Sequence, residues 1–195
     1  MSEKTAAVTT YTTEIKGVTL SLTTHPQVFS PRRVDAGTLA MLQCADIRPQ
    51  DKVLDLGCGC GVVGIYAAKI VGESQAFLID NDPTAIAVAT RNAVANHLPN
   101  LSITLSDGFR AFRETGFTRI LCNPPYHTDF SVAKHFILKG FNRLQIGGEM
   151  WFVTKRNKWY RNKLSTVFGN VDVNTVASYY VFCAQKKRAS YARRV

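Results

Sequence analysis

No apolar stretch in the 195-residue chain is longer than a β-strand, so no segment reads as a membrane-spanning helix. The first 17 residues, MSEKTAAVTTYTTEIKG, lack the apolar core of a secretory signal, and the expected compartment is the cytoplasm. Cysteines number five (Cys44, Cys58, Cys60, Cys122 and Cys183), none in a CxxC pair. The Cys58–Cys60 spacing suits a zinc site poorly, and His25, His97 and His135 have no partner at ligand spacing, so no metal is expected and the thiols read as reduced and packed. Acidic residues are scarce in one region. Residues 134–195 hold 13 Lys+Arg against 2 Asp+Glu, whereas residues 1–133 hold 11 against 12. The whole +10 formal charge therefore lies in the last third, which favours a polyanionic partner such as RNA over a basic surface that serves solubility alone. Long charge blocks, internal repeats and low-complexity tracts are missing too, and with 46% hydrophobic residues the chain can fill one ordinary core.

The apolar patterning then reads as an ordered series of elements. Two alternating runs, residues 8–13 and 18–23, flank a turn at Glu14-Ile15-Lys16-Gly17 and predict a β-hairpin. His25-Pro26 and Ser30-Pro31 interrupt regular structure, and residues 34–44 follow with a helical repeat. From residue 52 onward strands and helices alternate: strands at 52–56, 75–80, 101–105, 119–122, 149–154, 171–175 and 179–184, with helices at 62–71, 83–96, 130–144 and 157–168. Such alternation predicts an α/β fold with a mostly parallel, seven-stranded sheet covered by helices on both faces. We expect a short N-terminal hairpin extension, residues 1–30, followed by one domain over residues 31–195.

In such sheets ligands bind beyond the carboxyl ends of the strands. Three segments fall there. The first is Asp55-Leu56-Gly57-Cys58-Gly59-Cys60-Gly61, a glycine turn between a strand and a helix, where the backbone approaches a ligand closely and unpaired helix N–H groups face it. The second is Asp80, at the end of the next strand. In Asp80-Asn81-Asp82-Pro83 the better helix cap is Asp82, which leaves Asp80 available to a ligand. Gly59-x-Gly61-x-x-Gly64 with Asp80 also satisfies a dinucleotide-binding pattern, so an NAD-dependent oxidoreductase stays open at this point. Two details favour another reading: the pattern starts late, after Gly57, and Asp55 precedes it. Asp-x-Gly-x-Gly-x-Gly resembles the first motif of class I methyltransferases. That resemblance implies a Rossmann-like methyltransferase fold with S-adenosyl-L-methionine as cofactor. It places Asp55, Gly57, Gly59 and Gly61 around the methionine moiety, Asp80 on the ribose and Asp107 near the adenine.

The third segment is Asn123-Pro124-Pro125-Tyr126, directly after a strand. Two prolines donate no backbone hydrogen bond but fix the backbone, which presets the Pro124 carbonyl and the Asn123 side-chain oxygen as a pair of acceptors. An exocyclic amino group is a weak nucleophile because its lone pair is delocalised. Two acceptors on its hydrogens orient the nitrogen and stabilise the positive charge that develops on it. Tyr126 offers a face for stacking a planar substrate. The tetrapeptide resembles the catalytic motif of methyltransferases acting on adenine N6, guanine N2, cytosine N4 and protein glutamine. It implies Asn123, Pro124, Pro125 and Tyr126 as catalytic residues, Asn123 facing the cofactor as well.

Phe29-Ser30-Pro31-Arg32-Arg33-Val34-Asp35-Ala36-Gly37-Thr38, His127 and Phe152-Val153-Thr154-Lys155-Arg156 are similar to segments of the RsmC-type ribosomal RNA guanine-N2 methyltransferases. The resemblance covers residues 26–186. It implies ribosomal RNA or a ribosomal subunit as partner, small-subunit 16S RNA as target, and Tyr126, His127, Lys155 and Arg156 on the substrate. Two rivals are a protein glutamine methyltransferase acting on a release factor or ribosomal protein, and a non-catalytic RNA-binding protein on the same scaffold. Monomer and homodimer are both compatible with the sequence.

Overall fold

A computed structural model describes residues 9–26, 28, 33–124 and 130–191. The chain opens with a hairpin of β1 (Thr9–Ile15) and β2 (Val18–Thr24). Its turn is shorter than the composition suggests. Glu14 and Ile15 continue the strand, Ile15 pairing with Val18, and only Lys16 and Gly17 turn, both with positive φ (47° and 78°). That is the backbone handedness a two-residue hairpin turn requires, and it lets Ile15 enter the core.

The main sheet has seven strands: β3 (Val53–Leu56), β4 (Ala76–Asp80), β5 (Ser102–Leu105), β6 (Phe117–Cys122), β7 (Leu144–Thr154), β8 (Asp172–Val176) and β9 (Tyr179–Gln185). Their order is β5-β4-β3-β6-β7-β9-β8, with β9 antiparallel to both its neighbours and the other pairings parallel. The helices are α1 (Ala36–Cys44), α2 (Val62–Val71), α3 (Pro83–Ala95), α4 (Phe130–Arg143) and α5 (Asn157–Phe168). Strand β7 begins five residues before its predicted start. Leu144 pairs with Phe117 across a register shift, and the glycine pair at 147–148 bonds to Lys186 backbone atoms instead of leaving the sheet. Among the described residues no helix is long and apolar enough to cross a membrane.

Strand alternation divides the core in two. Val53, Leu121, Val153 and Val181 pack toward α1, α2, α3 and the hairpin, while Leu54, Ile120, Phe152 and Phe182 pack toward α4 and α5. By the same period of two, Asp55 and Asn123 fall on the first of these faces. The hairpin belongs to that core through Ile15, Leu20 and Leu22, each worth about 1.5–3 kcal/mol when buried. It is also tied by two buried asparagines, Asn92 of α3 and Asn96 at its C-cap. Asn92 and Asn96 each accept from one N–H of β2 (Thr23, 2.7 Å; Ser21, 3.0 Å) and donate to the same residue's carbonyl (2.8 and 2.7 Å). The side-chain amides thereby satisfy strand-edge groups as a further strand would.

Candidate active site

The strand order reverses between β3 and β6, so the loops leaving these two strands part and open a crevice. The register aligning Asp55 with Leu121 brings the glycine turn level with Asn123.

Three alternate glycines, Gly57, Gly59 and Gly61, hold the turn with positive φ. At Gly61 (φ 88°) a Cβ would also press on Ala89 and Ile65 at 3.2 Å. Gly64, on the first turn of α2, is required for another reason. A Cβ there would lie 2.2 Å from Leu78, so its absence lets α2 lie against β4. Because the N-cap Gly61 has no side chain to cap the helix, Asp55 does so from the preceding strand, accepting from the Gly64 N–H at 2.8 Å. Asp55 is buried. Desolvation, only partly offset by the Gly64 bond and reinforced by the nearby Asp80 charge, pushes its carboxyl up to about 7.

Asp80 is busier than its sequence context suggests. One carboxylate oxygen accepts from Gly59 N–H (2.8 Å) and the other from Asp82 N–H (3.0 Å), so the side chain staples the glycine turn to the end of β4. Each oxygen retains a second lone pair, which leaves room for a ligand diol. Asp82 caps α3 through Thr84 N–H at 2.8 Å, as its position before proline implies. The turn is anchored once more by Asn92, whose amide donates to the Cys60 carbonyl at 2.8 Å and so links hairpin, α3 and turn.

A cavity of about 300 Å³ lies at this crevice. Asp55, Gly57, Gly59, Asp80, Asp107, Asn123 and Pro124 all line it; Gly61 sits behind the wall as the helix cap. Asp107 is at the mouth, exposed and paired with Arg110 at 3.2 Å. Phe136 and Val132 of α4 supply apolar surface beside Gly108. The wall also contains residues to which the motifs assigned no role. Val28 reaches the glycine turn, and Asp35 and Thr38, at the start of α1, hold the Asn123 amide. Asn123 Nδ2 donates to Asp35 Oδ2 (2.9 Å) and to Thr38 Oγ1 (3.0 Å), and the same Asp35 oxygen caps α1 through Thr38 N–H (3.0 Å). No local pattern announces this link, which spans 88 residues.

Pro125, Tyr126 and His127 lie outside the described residues, as do Phe29, Ser30, Pro31, Arg32, Arg193 and Arg194. Lys155 and Arg156 do not line the cavity. They stand exposed just beyond the end of β7, on the side of the sheet where Asn123 leaves β6. Lys155 lies over the Tyr179 ring (5.1 Å), and Arg156 over Phe130 (5.1 Å), which stacks on Trp159 at 4.3 Å. Tyr160, by contrast, is core. The five cysteines are free, with Cys58, Cys60 and Cys122 buried and their thiols pushed up by burial.

Together the fold and the cavity wall define a Rossmann-like class I methyltransferase domain. The chain belongs to the methyltransferase small domain family, which it matches over residues 19–183. It is 32% identical over 181 residues to the ribosomal RNA large subunit methyltransferase G of Aeromonas hydrophila, and 29% identical over 188 residues to the protein of the same name from Klebsiella pneumoniae. These alignments cover 89% and 92% of this chain but 48% and 50% of the relatives, so the chain spans about half the length of the curated relatives it matches. Among solved structures it superposes with a TM-score of 0.81, at 27% identity, on the T. thermophilus 16S rRNA N2 methyltransferase RsmC, determined with AdoMet and guanosine. That match covers 92% of this chain and 50% of the other.

Proposed function

We propose that this chain transfers a methyl group from S-adenosyl-L-methionine to the exocyclic N2 of a guanine in ribosomal RNA. The carrying observation is the placement of Asn123 and Pro124 on the wall of the cavity that also holds Asp80 and the glycine turn. The residues fit the cofactor. A carboxylate at the end of β4 suits a ribose diol, the α2 N-terminus and its turn suit an amino-acid moiety, and Phe136 with Gly108 forms a slot suited to a flat heterocycle. When bound, this cofactor supplies an electrophilic methyl: as the N–C bond forms the C–S bond breaks with its electrons staying on sulfur, and the alkylated nitrogen then loses a proton to solvent. Asn123 and Pro124 accept the two amino hydrogens and orient the nitrogen, and Tyr126 stacks on the base. The target base must be unpaired or flipped to reach them. Lys155 and Arg156 hold the flanking phosphates at the rim.

The test is incubation with methyl-labelled cofactor and 16S and 23S RNA, naked and as subunits, followed by nucleoside mass spectrometry. Label in N2-methylguanosine is expected. Label in N6-methyladenosine or protein glutamine, with none in N2-methylguanosine, overturns the guanine assignment. The small-subunit expectation rests on the RsmC-type resemblance, whereas the curated relatives are named for the large subunit, so which of the two RNAs takes the label assigns the subunit.

Asp55 provides a second test on the protein without ligand. Its folded value near 7 lies above that of an unfolded carboxylate, so between pH 4 and 7 the folded state keeps a proton that the unfolded state has released. This group's contribution to stability therefore falls as pH rises through that window and levels off above it. Asp55→Asn, which keeps an acceptor for Gly64, is expected to match the parent near pH 4 and to exceed it above pH 7 by on the order of a few kcal/mol in urea unfolding. Parallel pH profiles for the two proteins would contradict the buried-carboxyl account.

A further inference from the structure

We infer that Asp35 and Thr38 are positioning residues that set the polarity of the Asn123 amide, and through it the requirement for a substrate that donates N–H bonds. The inference rests on the methyl-transfer reading above.

An asparagine amide has one accepting end and one donating end of nearly the same shape. At Asn123 the difference decides the chemistry. With Oδ1 presented, the residue accepts from an amino group and leaves the nitrogen lone pair exposed for attack. With Nδ2 presented, two N–H donors would oppose the hydrogens of that amino group, and the substrate would be rejected.

The structure contains a device that selects the first arrangement. Both hydrogens of Nδ2 are engaged, one by Asp35 Oδ2 at 2.9 Å and one by Thr38 Oγ1 at 3.0 Å. An ionised carboxylate is acceptor-only, so a flipped amide would set Oδ1 against Asp35 and lose a charge-assisted bond for a repulsion. Asp35 is itself immobilised because Oδ2 accepts the Thr38 N–H at 3.0 Å, which makes the N-cap of α1 the fixed point of the arrangement. α1 packs on β7 and β9, so this fixed point is rigid relative to the sheet from which Asn123 emerges. Asp35 and Thr38 lie on the cavity wall beside Asn123, so the orientation is set where the reaction occurs.

Capping and orienting are separable by substitution. Asp35→Ser keeps a good N-cap but is too short to reach Asn123. Asp35→Asn keeps both, since one amide oxygen accepts from Thr38 N–H and from Asn123. Thr38→Val removes one acceptor at constant shape, and Thr38→Ser restores it.

The experiment measures kcat and KM for RNA methylation, S-adenosylhomocysteine affinity by calorimetry and thermal unfolding for all four. Asp35→Ser and Thr38→Val are expected to lose about 10- to 100-fold in kcat with KM and cofactor affinity within a few-fold, because each removes a bond that acts through Asn123. Asp35→Asn and Thr38→Ser are expected to regain most of that loss. Asp35→Ser with full kcat, or equal losses in Asp35→Ser and Asp35→Asn, would overturn the inference in favour of a purely capping role. Losses confined to KM would overturn it in favour of direct ligand contact. An inactive parent protein that still binds the cofactor would instead sink the methyl-transfer reading itself.

Discussion

Replacing Asn123 with alanine is expected to lower kcat by about 10²- to 10³-fold while S-adenosylhomocysteine affinity changes less than about tenfold. The asymmetry follows from the position of the side chain. Asn123 is one of many groups on the cavity wall, so the cofactor keeps the glycine turn, Asp80 and the α4 aromatic surface when it is removed. The reacting nitrogen, however, loses one of the two acceptors that turn a planar, conjugated amino group into a nucleophile. That interaction strengthens as positive charge develops on nitrogen, so its removal is felt in kcat more than in KM. Asn123→Asp is not a conservative alternative, because it would set a carboxylate against Asp35 at the present 2.9 Å contact. Steady-state kinetics with calorimetry separates the effects; a kcat within about tenfold of the parent would show that Asn123 does not touch the reacting group.

Reversing the charge of Lys134, Lys158 and Arg161 together is expected to weaken RNA binding by about 100-fold or more at moderate salt, and to reduce the salt dependence of log K by about two, near 0.7 per lost phosphate contact. The reason is how the fold distributes the excess charge. Helices α4 and α5 contain no Asp or Glu, and they pack side by side on one face of the sheet. Their solvent sides carry Lys134, Lys139, Lys158 and Arg161, all exposed. The C-terminal segment joins them: Tyr191 donates to the Leu138 carbonyl at 3.0 Å and sits against Phe141, which brings the exposed Lys187 and Arg188 to the same layer. At the cavity end of this layer Arg156 lies over Phe130 of the Phe130–Trp159 stack, and Lys155, the preceding residue, lies over Tyr179. A strand lying along the helices would thus deliver a base to Asn123, with aromatic surface at the point of entry. Fluorescence anisotropy at several salt concentrations reads both quantities. Unchanged affinity and slope would move the RNA path off this face, while cofactor binding is expected to stay as in the parent, because none of the three residues lines the cavity.

Much of the cavity wall was legible because its signals are local. A glycine turn after an apolar strand, a proline at the first position of a helix and an Asn-Pro-Pro run at a strand end each fix the backbone through a few adjacent residues, and Asp82 caps α3 as its place before Pro83 implies. Helix α5 was predicted to its end residues, for its apolar spacing and the glycine after it leave little choice. Less was visible at Asp80: its bond to Asp82 is a local turn contact, but its bond to Gly59, 21 residues earlier, depends on where β4 lies beside β3. The hairpin turn was placed too wide because the charged Glu14 and Lys16 flank Ile15 beside Gly17, whereas the strand pairing runs on to Ile15 and buries it.

By itself the sequence determined the order of strands and helices, the glycine turn, the Asn-Pro-Pro run at a strand end and the charge imbalance, since each is written in neighbouring residues. Only the tertiary structure decided which of these meet. The parallel register of β3 with β6 sets Asn123 beside the glycine turn, and α1, 85 to 88 residues earlier in the chain, supplies the acceptors that orient its amide. Asn92 and Asn96, polar residues on an otherwise apolar helix face, find β2 across 69 and 75 residues and clamp the hairpin over the turn. Periodicity constrains which way a side chain faces within its own element. The partner it meets is set by how the elements pack, through hydrogen bonds whose geometry exists only once the core has closed.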